Sequence, residues 1–234
     1  MAHAGMDTST YPGDGKMAAL LATTNLRWCG FYLAPAPSHP NRSWMDRREH
    51  LVRAGWGLAP LYLGQQEAGP GSHIVTAAQG TKDGGHACRL AQEAGFPPGS
   101  IVYLDLEKGG PISTAVAQYL ASWAAGVVAG GFVPGAYCSH TSAASALHAV
   151  PGLKLWVFKV LNVDVGSNKV PPFKDDDPSH TNVASAMVWQ WAQNCRVVTP
   201  AGTVLVDLDT SITADPSKPV ATGAPDIRPS PSAP

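Results

Sequence analysis

The feature that most limits what this chain can form is a series of apolar strand segments with helical stretches between them. Strand character is expected over residues 5–10, 27–33, 58–63, 100–107, 133–138, 153–161, 186–193 and 203–209. Helices are expected over 16–23, 44–54, 74–94, 113–128 and 142–149, the third interrupted or kinked near Gly80 and Gly84-Gly85. Near-continuous apolar strands must be covered on both faces, the condition of a parallel sheet flanked by helices. Eight of them in a 234-residue chain predict an α/β fold, a single (β/α)8 TIM-type barrel, near the small end of its size range. The last two crossovers are short of helix, so the barrel is expected to be irregular there. A doubly wound open sheet is the alternative, but no G-x-G-x-x-G follows the first strand to support a dinucleotide site. The barrel domain is placed at 1–213, with a hairpin-like turn at Pro200-Ala-Gly202. Residues 214–234, rich in Pro, Ala and Ser, read as a flexible tail.

Composition removes several function classes. Charged residues are 14% of the chain and the formal net charge is −1, so no electrostatic case exists for nucleic acid or an anionic membrane surface. No apolar run is long enough to span a bilayer. The opening Met-Ala-His-Ala-Gly has neither a basic region nor an apolar core, so no signal peptide is visible. Cys29, Cys88, Cys138 and Cys195 form no C-x-x-C pair or zinc-like cluster and read as buried thiols. The histidines are scattered without ligand spacing and read as surface or capping groups. No metal and no organic cofactor is expected.

Chemistry concentrates at strand ends. Residues 100–107 read Ser-Ile-Val-Tyr-Leu-Asp-Leu-Glu and run into Lys108-Gly-Gly-Pro111. Strand side chains alternate faces, so Asp105 and Glu107 point the same way. Two acids on one face of an apolar strand raise the pKa of one of them, which suits a general acid beside an ionised partner. The first strand carries Asp7, the seventh Trp189-Gln190-Trp191, and the eighth Asp207 and Asp209; Tyr32, Tyr62 and Tyr137 end the second, third and fifth. Asp209, before Thr-Ser, reads as a turn residue. Asp175-Asp-Asp177 reads as a solvated loop. Acids from several strands ringed by aromatics fit a sugar-cleaving site, where carboxyls supply the acid and the stabiliser of an oxocarbenium-like transition state.

The motifs Gly5-Met-Asp7-Thr-Ser9, Tyr103-Leu-Asp105-Leu-Glu107, Val188-Trp-Gln-Trp191 and Val206-Asp207-Leu208 resemble, in order, the strand-end motifs of family-25 glycoside hydrolases, the Chalaropsis-type lysozymes. Thr76-Ala-Ala-Gln-Gly80 with Asp83-Gly84, leading to Tyr-Leu-Asp-Leu-Glu, resembles the related glycoside hydrolase-like family of bacterial domains of unknown function (1906). The resemblance implies Glu107 as general acid, Asp105 as its charged neighbour, and Asp7 and Asp207 holding sugar hydroxyls or the attacking water. Tyr32, Tyr62, Tyr137, Trp189, Gln190 and Trp191 would bind substrate. The expected partner is peptidoglycan or a related N-acetylated polysaccharide, which points to secretion or the cell envelope. A carbohydrate-binding or envelope scaffold that has lost turnover is the second reading, and an unrelated barrel amidase or phosphodiesterase the third. The segments 65–94 and 162–182 depart from the lysozyme pattern and would reshape the groove.

Overall fold

Six strands laid side by side in chain order build most of the molecule. The computed structural model describes residues 1–163 and 168–219. These six are β1 (His3–Asp7), β2 (Trp28–Tyr32), β3 (Gly57–Tyr62), β4 (Ile101–Leu106), β5 (Val133–Ser139) and β6 (Lys154–Val163), all parallel. Every residue of β2, β3 and β4 is buried, as a strand covered on both faces requires. The covering helices are α1 (Asp14–Thr23), α2 (Arg48–Ala54), α3 (Ala77–Glu93), α4 (Thr114–Ala129) and α5 (Ala143–Ala149). After β6 come a two-residue strand β7 (Asn168–Lys169), a 3-10 turn at Pro178–Thr181, then β8 (Ala186–Thr199) and β9 (Gly202–Ser211). β8 pairs parallel with β6, and β9 runs antiparallel to both β8 and β1, closing an eight-stranded (β/α)8-type barrel.

The expected irregularity lies in those last connections. The turn joining β8 to β9 is too short to carry a helix back across the barrel, so β9 must return antiparallel. Its N-terminal half therefore reaches the rim where the other strands end. Both strands outrun the barrel: from Gln193 to Thr199 buried and exposed residues largely alternate, the mark of a hairpin with one wet face.

Two expectations need correction. The helix over 74–94 is not kinked at its glycines; α3 is unbroken, and the Thr76 hydroxyl caps it by accepting from the Gln79 amide (3.2 Å). Gly80 and Gly84 face α4, where an added methyl would collide with the carbonyl oxygens of Tyr119 and Trp123. They serve close helix approach rather than a break. The tail also begins later than residue 214. Ser217 O accepts from Ile101 N (2.7 Å), Ser217 N donates to Leu58 O (2.7 Å), and the Tyr103 hydroxyl donates to Pro216 O (2.9 Å), so this segment covers the barrel end opposite the acids. The rest of the expected tail, 220–234, lies outside the described residues, as do 164–167 of the 162–182 loop.

Ending the chain after Thr213 would remove those three bonds, at roughly 1 kcal/mol each. At about 2–4 °C per kcal/mol, thermal unfolding should move down by roughly 6–12 °C. Ending it after Pro219 should leave Tm unchanged. Equal Tm values for the two truncations would show that the segment does not hold the barrel floor.

Candidate active site

Strand parity decides which side chains enter the barrel. On β1 the inward residues include Gly5 and Asp7, and across the β1–β9 pairing Gly5 sits opposite Asp209 and Asp7 opposite Asp207. An added methyl at Gly30 of β2 would collide with Asp7 Cβ, and one at Gly5 with the Trp28 indole. Both positions stay bare so that larger groups can fill the interior. The largest of these is Trp156 of β6, fully buried, with edge-on contacts to Trp28 (5.5 Å), Tyr103 (5.8 Å) and Tyr137 (5.5 Å). Its indole N–H donates to Asp209 Oδ1 (2.9 Å). This ring is the floor of the site.

Above the floor lies a cleft of about 220 Å³, with Asp7, Asp105, Glu107 and Asp207 in its walls. Tyr32 donates to Asp7 Oδ1 (2.6 Å). The Gln190 amide donates to Asp7 Oδ2 (3.2 Å) and Asp207 Oδ2 (3.0 Å), while its carbonyl accepts from Tyr137 (2.8 Å) and Gln193 (3.2 Å). Asn194 holds a left-handed φ of 54° within a register shift of β8, which aims its backbone amide at Asp207 Oδ1 (2.7 Å). Asparagine is among the few residues that accept that conformation readily.

Neither Asp209 Oδ2 nor Asp105 Oδ1 meets a donor among the described residues, although both are buried. Each of these carboxyls meets another carboxyl instead, Asp209 that of Asp7 and Asp105 that of Glu107. Two carboxyls held this close repel when both are charged, which favours the neutral form of the buried one. Burial is the largest cause raising Asp209 well above its ordinary range, followed by the charges of Asp7 and Asp207. Burial also raises Asp105 well above it, with Glu107 next. Asp7 is raised by burial too, against the pull of Tyr32 and Gln190. Asp207 is pushed up to about 7, by burial first and then by Asp7. Burial and the neighbouring Glu107 charge both favour the neutral form of Asp105. Glu107 itself is exposed at the cleft lip.

The structure brings together Asp7, Asp105, Glu107, Asp207, Tyr32, Tyr137 and Gln190. It does not bring in Tyr62, Trp189 or Trp191. Tyr62 lies on the outer face of β3 and its hydroxyl meets His86 Nδ1 (3.1 Å). Trp189 sits outside the barrel, under the Lys174 ammonium (4.7 Å) and bonded to the Lys159 carbonyl (3.0 Å). Trp191, within a register shift of β8, packs against the hydrophobic core and does not line the cleft. Asp209 is no turn residue but the deepest acid, and the spacing that paired Asp105 with Glu107 applies equally to Asp207 and Asp209. Gln193 and Asn194 were missed; only an asparagine inside a strand hinted at a bulge. His39, expected at the surface, is buried against Tyr32 (5.2 Å). Among the described residues, no three His, Cys, Asp or Glu side chains converge as a metal site, and no helix is long and apolar enough to cross a membrane.

A family model for the Rv2525c-like, glycoside hydrolase-like domain matches residues 19–204. The chain belongs to that family. The matched span holds Asp105, Glu107 and Gln190, and the barrel adds Asp7, Asp207 and Asp209 from either side of it. This glycoside hydrolase-like chain has no match among curated proteins. Its fold is similar to that of the Mycobacterium tuberculosis Tat-secreted protein Rv2525c, at 13% identity and a TM-score of 0.61 over 92% of this chain and 97% of that one. The Clostridium perfringens spore cortex lytic enzyme SleM matches at 12% identity and a TM-score of 0.59, over 90% and 67% of the two chains. A family GH25 lysozyme from Aspergillus fumigatus matches at 11% identity and 0.52, over 91% and 95%. The barrel is therefore one that a spore cortex lytic enzyme and a GH25 lysozyme share.

The raised carboxyls should make stability fall with pH. A folded value of about 7 for Asp207, against an ordinary 3.8, contributes stability that is whole below about pH 4 and lost as pH rises through 7. Asp7, Asp105 and Asp209 are shifted in the same direction. Tm measured from pH 4 to pH 8 should fall, and Asp207→Asn should flatten part of that fall. A wild-type Tm that rises over this window would contradict the burial of these acids.

Proposed function

We propose that the chain hydrolyses glycosidic bonds in peptidoglycan or a related N-acetylated polysaccharide, with Glu107 as general acid. The observation that carries this reading is the Asp105–Glu107 pair, one carboxyl buried and raised by that burial, the other exposed beside two further acids. A sugar ring covering Glu107 removes the water that favours its charged form, so that the carboxyl holds a proton to give to the leaving oxygen. The proton passes from Glu107 to that oxygen as the glycosidic bond breaks, leaving Glu107 as the carboxylate, and negative charge on the cleft acids stabilises the developing oxocarbenium ion.

Asp7 and Asp207 share the cleft and the Gln190 amide. Asp207, with two donors and a value of about 7, is the acid best placed to orient water or a sugar hydroxyl near neutral pH. Tyr32 and Tyr137 are held by Asp7 and Gln190, so their rings form fixed cleft walls rather than mobile platforms. Each residue in this scheme is one that the geometry places at the cleft; Tyr62, Trp189 and Trp191 have no part in it.

Reducing-end release from peptidoglycan and chitooligosaccharides tests the assignment. Glu107→Gln should lower it by about 10²–10⁴-fold, the usual worth of a general acid, with Tm and glycan binding retained. Wild-type turnover that survives the substitution would sink the role given to Glu107. Tight saccharide binding without turnover in the wild type would favour a binding scaffold.

A further inference from the structure

Glu107 lines three cavities, of which one, about 20 Å³ between Leu106 and Ile112, has room for little more than a water and two could hold a sugar ring. Of those two, one is the acid-walled cleft; the other, about 180 Å³, is lined by Leu63, Ala68, Gly69, Pro70, Ser38 and Gln66. A proton donor common to two cavities puts the bond it cleaves between them. The sugar that develops positive charge belongs on the side of Asp7, Asp105 and Asp207. The second cavity has no acid in its lining besides Glu107, and its wall is aliphatic. We propose that it is the leaving-group subsite, taking the N-acetylated sugar whose glycosidic oxygen Glu107 protonates. The apolar C–H face of that ring would rest on Pro70, Ala68 and Leu63. This rests on the hydrolase reading and deepens it.

The loop that forms the wall is anchored by a buried carboxylate that the chemistry does not use. Asp83 of α3, 3% exposed, accepts from Gln65 Nε2 (2.9 Å), Gln79 Nε2 (2.8 Å) and the Tyr119 hydroxyl of α4 (2.8 Å). That hydroxyl accepts in turn from Gln65 N (3.1 Å), and Gln65 Oε1 accepts from Ile74 N (3.0 Å). One residue on, Gln66 Nε2 donates to the Asp105 carbonyl (3.1 Å). The loop is thus tied to α3 and α4 at one point and to the strand bearing the acids at the next. This gives the Thr76-Ala-Ala-Gln-Gly80…Asp83-Gly84 segment a purpose. Gln79 and Asp83 stand one helical turn apart, and Gly80 and Gly84 let α4 come close enough for Tyr119 to reach Asp83. Asp83 is a positioning residue for the subsite.

Two substrates separate this claim from the hydrolase reading: an N-acetylglucosamine hexamer, whose leaving group is a sugar, and chitobiosyl fluoride, whose leaving group needs no subsite. Ala68→Trp, which fills the cavity, should lower kcat/KM on the hexamer at least about tenfold more than on the fluoride, with the loss in KM. Asp83→Asn should give the same split more weakly while Tm confirms a folded barrel. Equal losses on the two substrates, or none in either variant, overturn the subsite. Turnover of neither these two substrates nor peptidoglycan by the wild type overturns the hydrolase reading, and the subsite with it.

Discussion

The hydrogen bond from the Trp156 indole to Asp209 Oδ1, at 2.9 Å in the sealed barrel interior, is the contact on which the site depends. A carboxyl this deep is costly in its charged form, so burial pushes Asp209, which lies beside Asp7, toward its neutral form. Asp7, receiving Tyr32 and Gln190, is fixed opposite Asp207. The same logic recurs on β4, where burial raises Asp105 beside the exposed Glu107. Each of the two carboxyl pairs thus has a deep member that burial pushes toward its neutral form. Bare positions at Gly5 and Gly30 make the room, and the aromatic cage around Trp156 excludes the water that would ionise the deep acids.

The barrel was legible because strands apolar on both faces leave few architectures, and the acids were legible because they end those strands. The misplacements share one cause. Alternation says that Gln190 and its two tryptophan neighbours face opposite ways, but not which way is inward; the cleft takes the glutamine and leaves out Trp189 and Trp191. For Tyr62 the same holds, with Leu61 facing the cleft. Asp209 looked like a turn residue because Thr-Ser follows it, yet a strand that returns antiparallel carries its C-terminal half down into the barrel. The glycines of α3 looked like breaks because sequence alone does not show the helix they approach.

What sets this barrel apart from a generic acid-lined cleft is its loop architecture. The 64–72 segment, polar in sequence, is held by buried Gln65 and Gln66 and closes one side of Glu107. The β8–β9 hairpin supplies Gln193 and Asn194 on the other. On the hydrolase reading proposed above, specificity would reside in two chain segments that composition marks only as polar, and the proton chemistry in the strands. The fold similarity to a spore cortex lytic enzyme and a GH25 lysozyme comes at sequence identities far too low to carry a substrate across.

The central claim is that carboxyls at the barrel centre stay protonated at neutral pH. Infrared spectroscopy of the wild type at pH 7 should show the carbonyl stretch of protonated carboxylic acids, losing intensity stepwise in Asp209→Asn and Asp105→Asn. A wild-type spectrum at pH 7 holding carboxylate bands alone would contradict the account.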